Sequence, residues 1–258
     1  MGRFEGRTYL ITGGGKGIAA ALADEVAAGG GAVAVFDIDG DAAAEKAAKI
    51  NAGGGRALAI QGDARDDATV RSAVAAVVEK FGRIDGLAAL AGVLRLAPIA
   101  DVPDSQWRDV VETNVLGPFQ FIRAVVPHLR AAGGGSIVLA ASAMAFASSP
   151  TAALYSASKG AIVAMTNSLA VELAAERIRV NCFAPGTVRT PMARELAQMQ
   201  DADDIDATVD SFGQGHPMLR VIEAEEVARV AAFLLSDDAS AVTGSCYGVD
   251  AGMLANLG

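Results

Sequence analysis

The feature that most constrains this chain is a rhythm. Short runs rich in β-branched and aliphatic residues alternate with longer alanine-rich stretches whose apolar positions recur every three or four residues. The runs at 7–12, 32–37, 57–62, 86–90, 136–141, 179–183 and 246–249 read as strands. Those at about 17–29, 41–51, 66–81, 104–131, 153–175 and 224–236 read as helices. Strands joined by helices pair in parallel through right-handed crossovers. The pattern therefore predicts one doubly wound α/β domain over residues 1–258, its seven-stranded, mostly parallel sheet covered by helices on both faces. Hydrophobic residues make up 52% of the 258, enough for such a core and incompatible with disorder.

Composition removes several functional classes. Two cysteines, Cys182 and Cys246, cannot build a disulfide framework, and with only His128 and His216 as imidazoles there is no cluster spaced for zinc. Reduced thiols and no metal are expected. No apolar run reaches the roughly 18 residues of a membrane span. The start Met1-Gly-Arg-Phe-Glu lacks a signal-peptide hydrophobic region, so a soluble, cytoplasmic protein is expected. A net charge of −9 repels phosphate backbones, which argues against nucleic-acid binding. Composition shifts most at 191–220, where an acidic stretch with Asp201, Asp203, Asp204 and Asp206 lies between Pro191-Met-Ala-Arg and Gly213-Gln-Gly-His-Pro. An insertion after a late strand is a candidate substrate lid or a solvated helical excursion.

Four Gly-Gly-Gly triplets, at 13–15, 29–31, 53–55 and 133–135, separate by context. The last three follow helices and precede strands, which fits helix stops. The first follows a strand and opens a helix: Leu10-Ile-Thr-Gly-Gly-Gly-Lys-Gly-Ile-Ala19. Such a loop, with Gly13, Gly15, Lys16, Gly17 and Ile18, lets backbone N–H groups approach a pyrophosphate at a helix N-terminus. Asp37 ends the second strand, where a carboxylate can accept hydrogen bonds from ribose hydroxyls and would repel a 2′-phosphate. NAD is favoured over NADP, although a cation at Lys16 could pair with a 2′-phosphate. Asp63, after the third strand, could bond an adenine edge or cap the next helix.

Tyr155 and Lys159 stand four residues apart within a helical pattern and so share one face. A phenol has an ordinary pKa near 10, and a nearby ammonium favours the phenolate, so the pair is suited to exchange a proton with a substrate hydroxyl. Ser142 ends a strand on the ligand side of the sheet, where its hydroxyl could hold the substrate oxygen beside Tyr155. Asn114 lies in a helical pattern, a poor place for asparagine unless its side chain has a task.

Together Thr12-Gly-Gly-Gly-Lys-Gly-Ile, Asp37, Asp63, Asn114, Ser142, Tyr155-x-x-x-Lys159, Asn181 and Pro185-Gly186 resemble, in order and spacing, the short-chain dehydrogenase/reductases, and the likeness runs along essentially the whole chain. The resemblance implies a Rossmann-type fold and hydride transfer between a secondary alcohol and a nicotinamide. It implies Tyr155 as general acid/base and Lys159 lowering the pKa of Tyr155 and holding the nicotinamide ribose. Ser142 would orient the substrate, and Asn114 would anchor a water. Pro185, Gly186, Thr187, Val188 and Thr190 would bracket the nicotinamide and its phosphate. Ile38, Ala64, Ala91 and Gly92 complete the expected cofactor wall, and Met144 and Met192 join Ser142 and Tyr155 around the substrate. A homotetramer is implied, with 104–131 and 153–175 as interface candidates. Two departures stand out: the third loop glycine is Ala19, and the family's Asn-Asn-Ala-Gly reads Ala89-Leu-Ala-Gly92. Altered local support with retained activity is expected.

The apolar segment 143–148 and the lid's Met192, Leu196, Met199 and Phe212 suggest a lipophilic or cyclic alcohol, or else simply pack the lid. The alternatives are an NADPH-dependent 3-oxoacyl thioester reductase and, from another class, a dinucleotide-binding sensor without turnover. A pure binder has no use for the phenol–ammonium pair.

Overall fold

The structure, a computed structural model, describes residues 2–200 and 203–256. Seven strands form the main sheet: β1 Thr8–Thr12, β2 Ala32–Asp37, β3 Arg56–Gln61, β4 Gly86–Ala89, β5 Gly135–Ala140, β6 Ile178–Pro185 and β9 Cys246–Val249. Two further short strands, β7 Val188–Arg189 and β8 Ile222–Glu223, pair with each other. The sheet order is β3-β2-β1-β4-β5-β6-β9, and every pairing in it is parallel. The chain has the doubly wound, Rossmann-like fold expected.

Alternation along each strand decides which side chain goes to which core. Tyr9 and Ile11 of β1, with Val33 and Val35 of β2, pack on helices α1 Gly17–Ala28, α2 Gly40–Ala52 and α9 Ala224–Leu235. Leu10, Ala34 and Phe36 point the other way, toward α3 Asp67–Phe81, α5 Gly117–Ala131 and α6 Ala153–Leu173. Burial on both faces explains why these strands are continuous apolar runs. The strand order reverses between β1 and β4, so a crevice opens beyond their carboxyl ends, the usual place for a ligand in such sheets.

The helical pattern over 104–131 resolves into α4 Asp104–Val111, a five-residue π turn Glu112–Leu116, and α5. The 191–220 segment holds α7 Pro191–Gln198 and α8 Ile205–Ser211, with the β7–β8 pair at its base. Its helices close over a small core of Ala193, Ala197 and Val209, with Ile205 and Phe212 packed on it. Phe212 thus serves the lid's own packing, and Met199 is largely exposed. The lid acids are solvated: Asp204 caps α8, and Asp206 pairs with Arg194. Asp201 lies outside the described residues. The later glycine triplets do end helices, with Gly29 and Gly53 at the C-caps of α1 and α2 and Gly133 following α5.

Candidate active site

The loop after β1 is shaped by contacts that exclude side chains. Gly13 has φ +68°, and a Cβ there would lie 3.0 Å from Ala91 Cα, so the loops after β1 and β4 touch backbone to backbone. Gly15 donates its N–H to Asp37 Oδ2 at 2.9 Å, and a Cβ on it would meet Ala42 Cβ at 2.7 Å. The other Asp37 oxygen accepts the Asp39 N–H at 3.0 Å. The carboxylate is therefore fixed in direction at the end of β2. Lys16 is not a free cation: its Nζ lies 2.6 Å from Asp39 Oδ2.

Asp63 could have capped the next helix, but Asp66 does so, accepting the Thr69 N–H. Instead Asp63 receives Arg65 Nε at 2.9 Å and Nη2 at 2.7 Å, and this guanidinium holds its carboxyl below the usual carboxylate range. Arg65 also reaches Asp109 at 3.3 Å, and Arg95 reaches the same carboxylate at 3.1 Å. This network lines the cleft and was not visible in the sequence, because residues 65, 95 and 109 share no motif or period.

The loop after β4, without the family's asparagines, is held from β1 and from Asn114. Thr12 Oγ1 accepts both the Leu90 and Ala91 N–H groups at 3.1 Å, tying β1 to the loop. One step further, buried Asn114 takes over: Oδ1 accepts the Val93 N–H at 2.8 Å, and Nδ2 donates to Val93 O at 2.9 Å and to Ser158 Oγ at 3.0 Å. Ser158 in turn donates to the Tyr155 carbonyl at 2.7 Å. The asparagine thus struts the β4 loop against the first turns of α6. The π turn around it is a distortion often found at functional sites. Both Asn114 amide hydrogens are spent on protein, which leaves one Oδ1 lone pair for the water implied by the family resemblance.

Tyr155 and Lys159 are both buried in α6. Lys159 Nζ donates to Ala140 O at 2.8 Å, at the end of β5, and lies 5.6 Å from the Tyr155 ring centroid. Gly92 leaves it room, since a Cβ there would sit 3.5 Å from Nζ and 3.2 Å from Asn114 Oδ1. Burial pushes the lysine down to about 8 and the phenol up to about 12, against which a hydrogen bond with Ser142 works in part. The ammonium expected from the spacing to pull the phenol down has no such effect here: desolvation sets the direction for both groups, and only the Ser142 hydroxyl works against it at Tyr155. Ser142 also accepts the Met144 N–H at 3.1 Å, capping a short 3-10 turn.

A cleft of about 540 Å³ runs over these loops. Of the residues expected to hold the cofactor, Gly13, Lys16, Gly17, Ile18, Asp37 and Ile38 line its first half. Asp63, Ala64, Ala91, Gly92 and Thr190 line the rest, and Met192 reaches it from the lid. Gly15, Ser142, Met144, Tyr155, Lys159, Pro185, Gly186 and Val188 stand outside its walls. Gly15 and Gly186 shape the backbone, and the Val188 side chain is buried in the core beside Ile222. The glycine-lined approach, the directed Asp37 and the buried lysine form a donor set that fits a dinucleotide.

The profile of the family described as Enoyl-(Acyl carrier protein) reductase matches residues 13–254. A levodione reductase from Leifsonia aquatica is 35% identical over 256 residues, covering 98% of this chain and 96% of the relative. The 2,5-dichloro-2,5-cyclohexadiene-1,4-diol dehydrogenase of Sphingobium indicum is 36% identical over 258 residues, covering 99% and 100%. The crystal structure of levodione reductase superposes with a TM-score of 0.93 at 34% identity, over 98% of this chain and 99% of that one. A Brucella melitensis 3-ketoacyl-(acyl-carrier-protein) reductase complexed with NADH gives 0.87 at 33% identity, covering 97% and 99%. A Beutenbergia cavernae protein described as a putative NAD(P)-dependent gluconate 5-dehydrogenase, with NADP bound, gives 0.89 at 33%, covering 98% of each chain. The chain belongs to the short-chain dehydrogenase/reductase family and is an oxidoreductase of that family.

Proposed function

We propose that this protein is a cytoplasmic, NAD-dependent oxidoreductase that interconverts a secondary alcohol and its ketone, with a lipophilic or cyclic substrate. The observation that carries the reading is the convergence of Ser142, Tyr155 and Lys159 beside the Gly13–Gly17 cleft. When bound, the nicotinamide supplies the hydride chemistry. The chain's own residues handle the proton and the geometry. Tyr155, kept neutral by burial, donates its phenolic proton to a carbonyl oxygen in reduction and becomes the phenolate; in oxidation that phenolate, formed first by loss of the phenolic proton to solvent, takes the hydroxyl proton. Lys159, still mostly protonated at neutral pH, stabilises the phenolate that results. Ser142 orients the substrate oxygen. Asn114 and Ser158 hold the turn that carries Tyr155 in register with the β4 loop.

Asp37 favours NAD: both oxygens are aimed by backbone N–H groups and keep lone pairs for ribose hydroxyls, whereas a 2′-phosphate would meet its charge. Lys16 gives little help to a 2′-phosphate because Asp39 already neutralises it. Met192 supplies an apolar wall from the lid, in keeping with the cyclic diol in the Sphingobium relative's name. Likeness to the 3-ketoacyl-(acyl-carrier-protein) reductase favours the substrate of a second reading, an NADPH-dependent reductase of 3-oxoacyl thioesters, although that neighbour is complexed with NADH and it is the Beutenbergia neighbour that carries NADP. Following NAD(P)H absorbance with cyclic secondary alcohols and with 3-oxoacyl thioesters separates the two. Turnover of cyclic alcohols with NAD is expected, and thioester reduction with NADPH alone overturns the first reading. The family's homotetramer would bury the exposed Trp107, Leu116 and Phe119 of the α4–α5 face, which light scattering tests.

A further inference from the structure

We infer that His216 is a positioning residue, which fixes Thr187, three residues ahead of the cleft-lining Thr190, from the lid side; the inference rests on the dinucleotide reading above. His216 is 1% exposed and sits where the chain returns from the lid. Its Nε2 accepts the Thr187 N–H at 3.0 Å, and its Nδ1 lies 2.7 Å from Arg220 O. A carbonyl can only accept, so Nδ1 carries the proton and the ring is the neutral Nδ1–H tautomer. The Thr187 carbonyl, for its part, accepts the Ile222 N–H at 3.1 Å. Both backbone polar groups of this one residue are thus held by the returning segment.

The fit is close. A Cβ on Gly186 would lie 2.7 Å from His216 Nε2 and 3.2 Å from Asp250 Cα, so glycine is needed here to admit the imidazole. Backbone strain gathers around the same clamp. Leu219 (φ +51°) and Ala251 (φ +49°) are two of the four described non-glycine residues in the left-handed region. Leu219 donates its N–H to His216 O at 2.8 Å, and Met218 donates to Ala251 O at 3.2 Å. Strain of this kind persists only where the surroundings over-determine it. Thr187 also begins the stretch that leads to Thr190, whose methyl would lie 3.3 Å from a Cβ on Gly17 of the cofactor loop. The lid leaves the fold at Thr190 and returns through His216. The imidazole therefore couples the lid's return to the backbone that leads to Thr190 on the cleft wall.

The test uses NADH and NADPH fluorescence titrations of wild type, His216→Leu, His216→Asn and His216→Gln, with KM and kcat measured in parallel. The glutamine amide spans about the distance between the ring nitrogens and can renew the Thr187 bond, whereas asparagine reaches only toward Arg220. Loss of the Thr187 bond should raise the dinucleotide Kd and cofactor KM about tenfold in the Leu and Asn variants, with kcat at saturation changed by less than about threefold. The Gln variant should return Kd to within about threefold of wild type. If the Leu variant does not fold, the contrast between Asn and Gln decides. Equal Kd in wild type and in the Asn variant overturns the positioning role while leaving the cofactor reading intact. A wild type that binds neither dinucleotide overturns both.

Discussion

The sheet carries a cavity at each end, about 540 Å³ beyond its carboxyl ends and about 550 Å³ at its amino ends, and they are built in opposite ways. At the amino end most of the charges that line the cavity meet a ready partner. Arg7 pairs with Asp237, and Arg83 pairs with Asp85, whose carboxylate also accepts the Thr8 N–H at 2.9 Å. Arg179 donates to the carbonyls of Leu234 at 2.8 Å and Ser236 at 2.9 Å. At the carboxyl end, Lys159 is buried with a neutral carbonyl as its hydrogen-bond acceptor, and Tyr155 is buried beside it. Size does not separate the two cavities. Nor does a shifted group alone, since burial also raises Tyr9 and lowers Arg179 at the amino end; what the carboxyl end adds is a buried phenol and a buried ammonium on one helix face beside a glycine-lined cleft, a pairing suited to proton transfer.

The largest expected effect breaks that contrast at its centre. Tyr155→Phe removes one oxygen and keeps the ring, so the fold and dinucleotide binding should persist while kcat falls by roughly three orders of magnitude, the scale of general acid–base catalysis. Steady-state rates and an NADH titration on the same preparation check this. A variant with near wild-type kcat would remove the assigned role and leave the carboxyl-end cavity no more than a second binding cleft.

Lys159→Met comes next, and it should separate activity from stability. Turnover is expected to fall about a hundredfold, since the phenolate loses its cation. Stability should move the other way at neutral pH. The folded pKa of Lys159 is depressed to about 8, below the ordinary value of about 10.4. Below pH 8 the ammonium is charged in both states and its burial penalises the folded one in full. As pH rises toward 10.4 the folded lysine has lost its proton while the unfolded one keeps it, and the penalty fades. At about 1.4 kcal/mol per pKa unit the penalty is on the order of 3 kcal/mol, offset in part by the bond to Ala140. Urea unfolding should find the Met variant more stable by about 1–3 kcal/mol at pH 7, with the gap closing by pH 10. Tyr155 acts in the opposite sense at higher pH: its pKa is raised to about 12, so it contributes stability that is lost as pH climbs from 10 to 12. A stability gap that does not change between pH 7 and pH 10 would falsify the buried-charge account.

How much of this was legible in the sequence follows from the kind of physics involved. Strand and helix positions came through because period and β-branching are local, and the doubly buried sheet writes them as plain apolar runs. Gly13–Gly17, Asp37, Ser142, Tyr155 and Lys159 were legible because their neighbours along the chain carry the geometry. Arg65, Arg95, Asp109, Ser158 and His216 were not, since what they do depends on partners tens of residues away. The hold of the Thr12 hydroxyl on the β4 loop belongs to the same group: its two loop partners appear only once β1 and β4 are paired. The direction of the Tyr155 shift differs from the one its spacing to Lys159 suggests for a related reason. Spacing announces the ammonium, whereas desolvation is a property of everything packed around the phenol.

Two glycine substitutions sharpen the contrast at a smaller scale. Gly13→Ala would force a Cβ to 3.0 Å from Ala91 Cα at φ +68°, where neither loop can yield without moving the cleft. A rise of about tenfold in NADH Kd is expected from the displaced loop. Gly133→Ala, at φ +85° with nothing within 4 Å, carries only backbone strain. It should cost about 1 kcal/mol of unfolding free energy and leave kcat and Kd unchanged.

The smallest effect is expected from the ion pair that closes the amino-end cavity. Arg7 and Asp237 are joined through both guanidinium Nη atoms, and their side chains are 35% and 73% exposed. The pairing pushes the guanidinium further up from an already high value, and the carboxylate down, yet solvent screens most of that mutual stabilisation. Arg7→Gln should therefore lower the unfolding free energy by less than about 1 kcal/mol, and the loss should shrink further in high salt. Turnover and dinucleotide affinity should not change, because the pair lies across the sheet from Gly13 and Lys159. A Kd shift of tenfold in this variant would mean that the two ends of the sheet are energetically coupled, and the amino-end cavity would then have to be treated as part of the working enzyme.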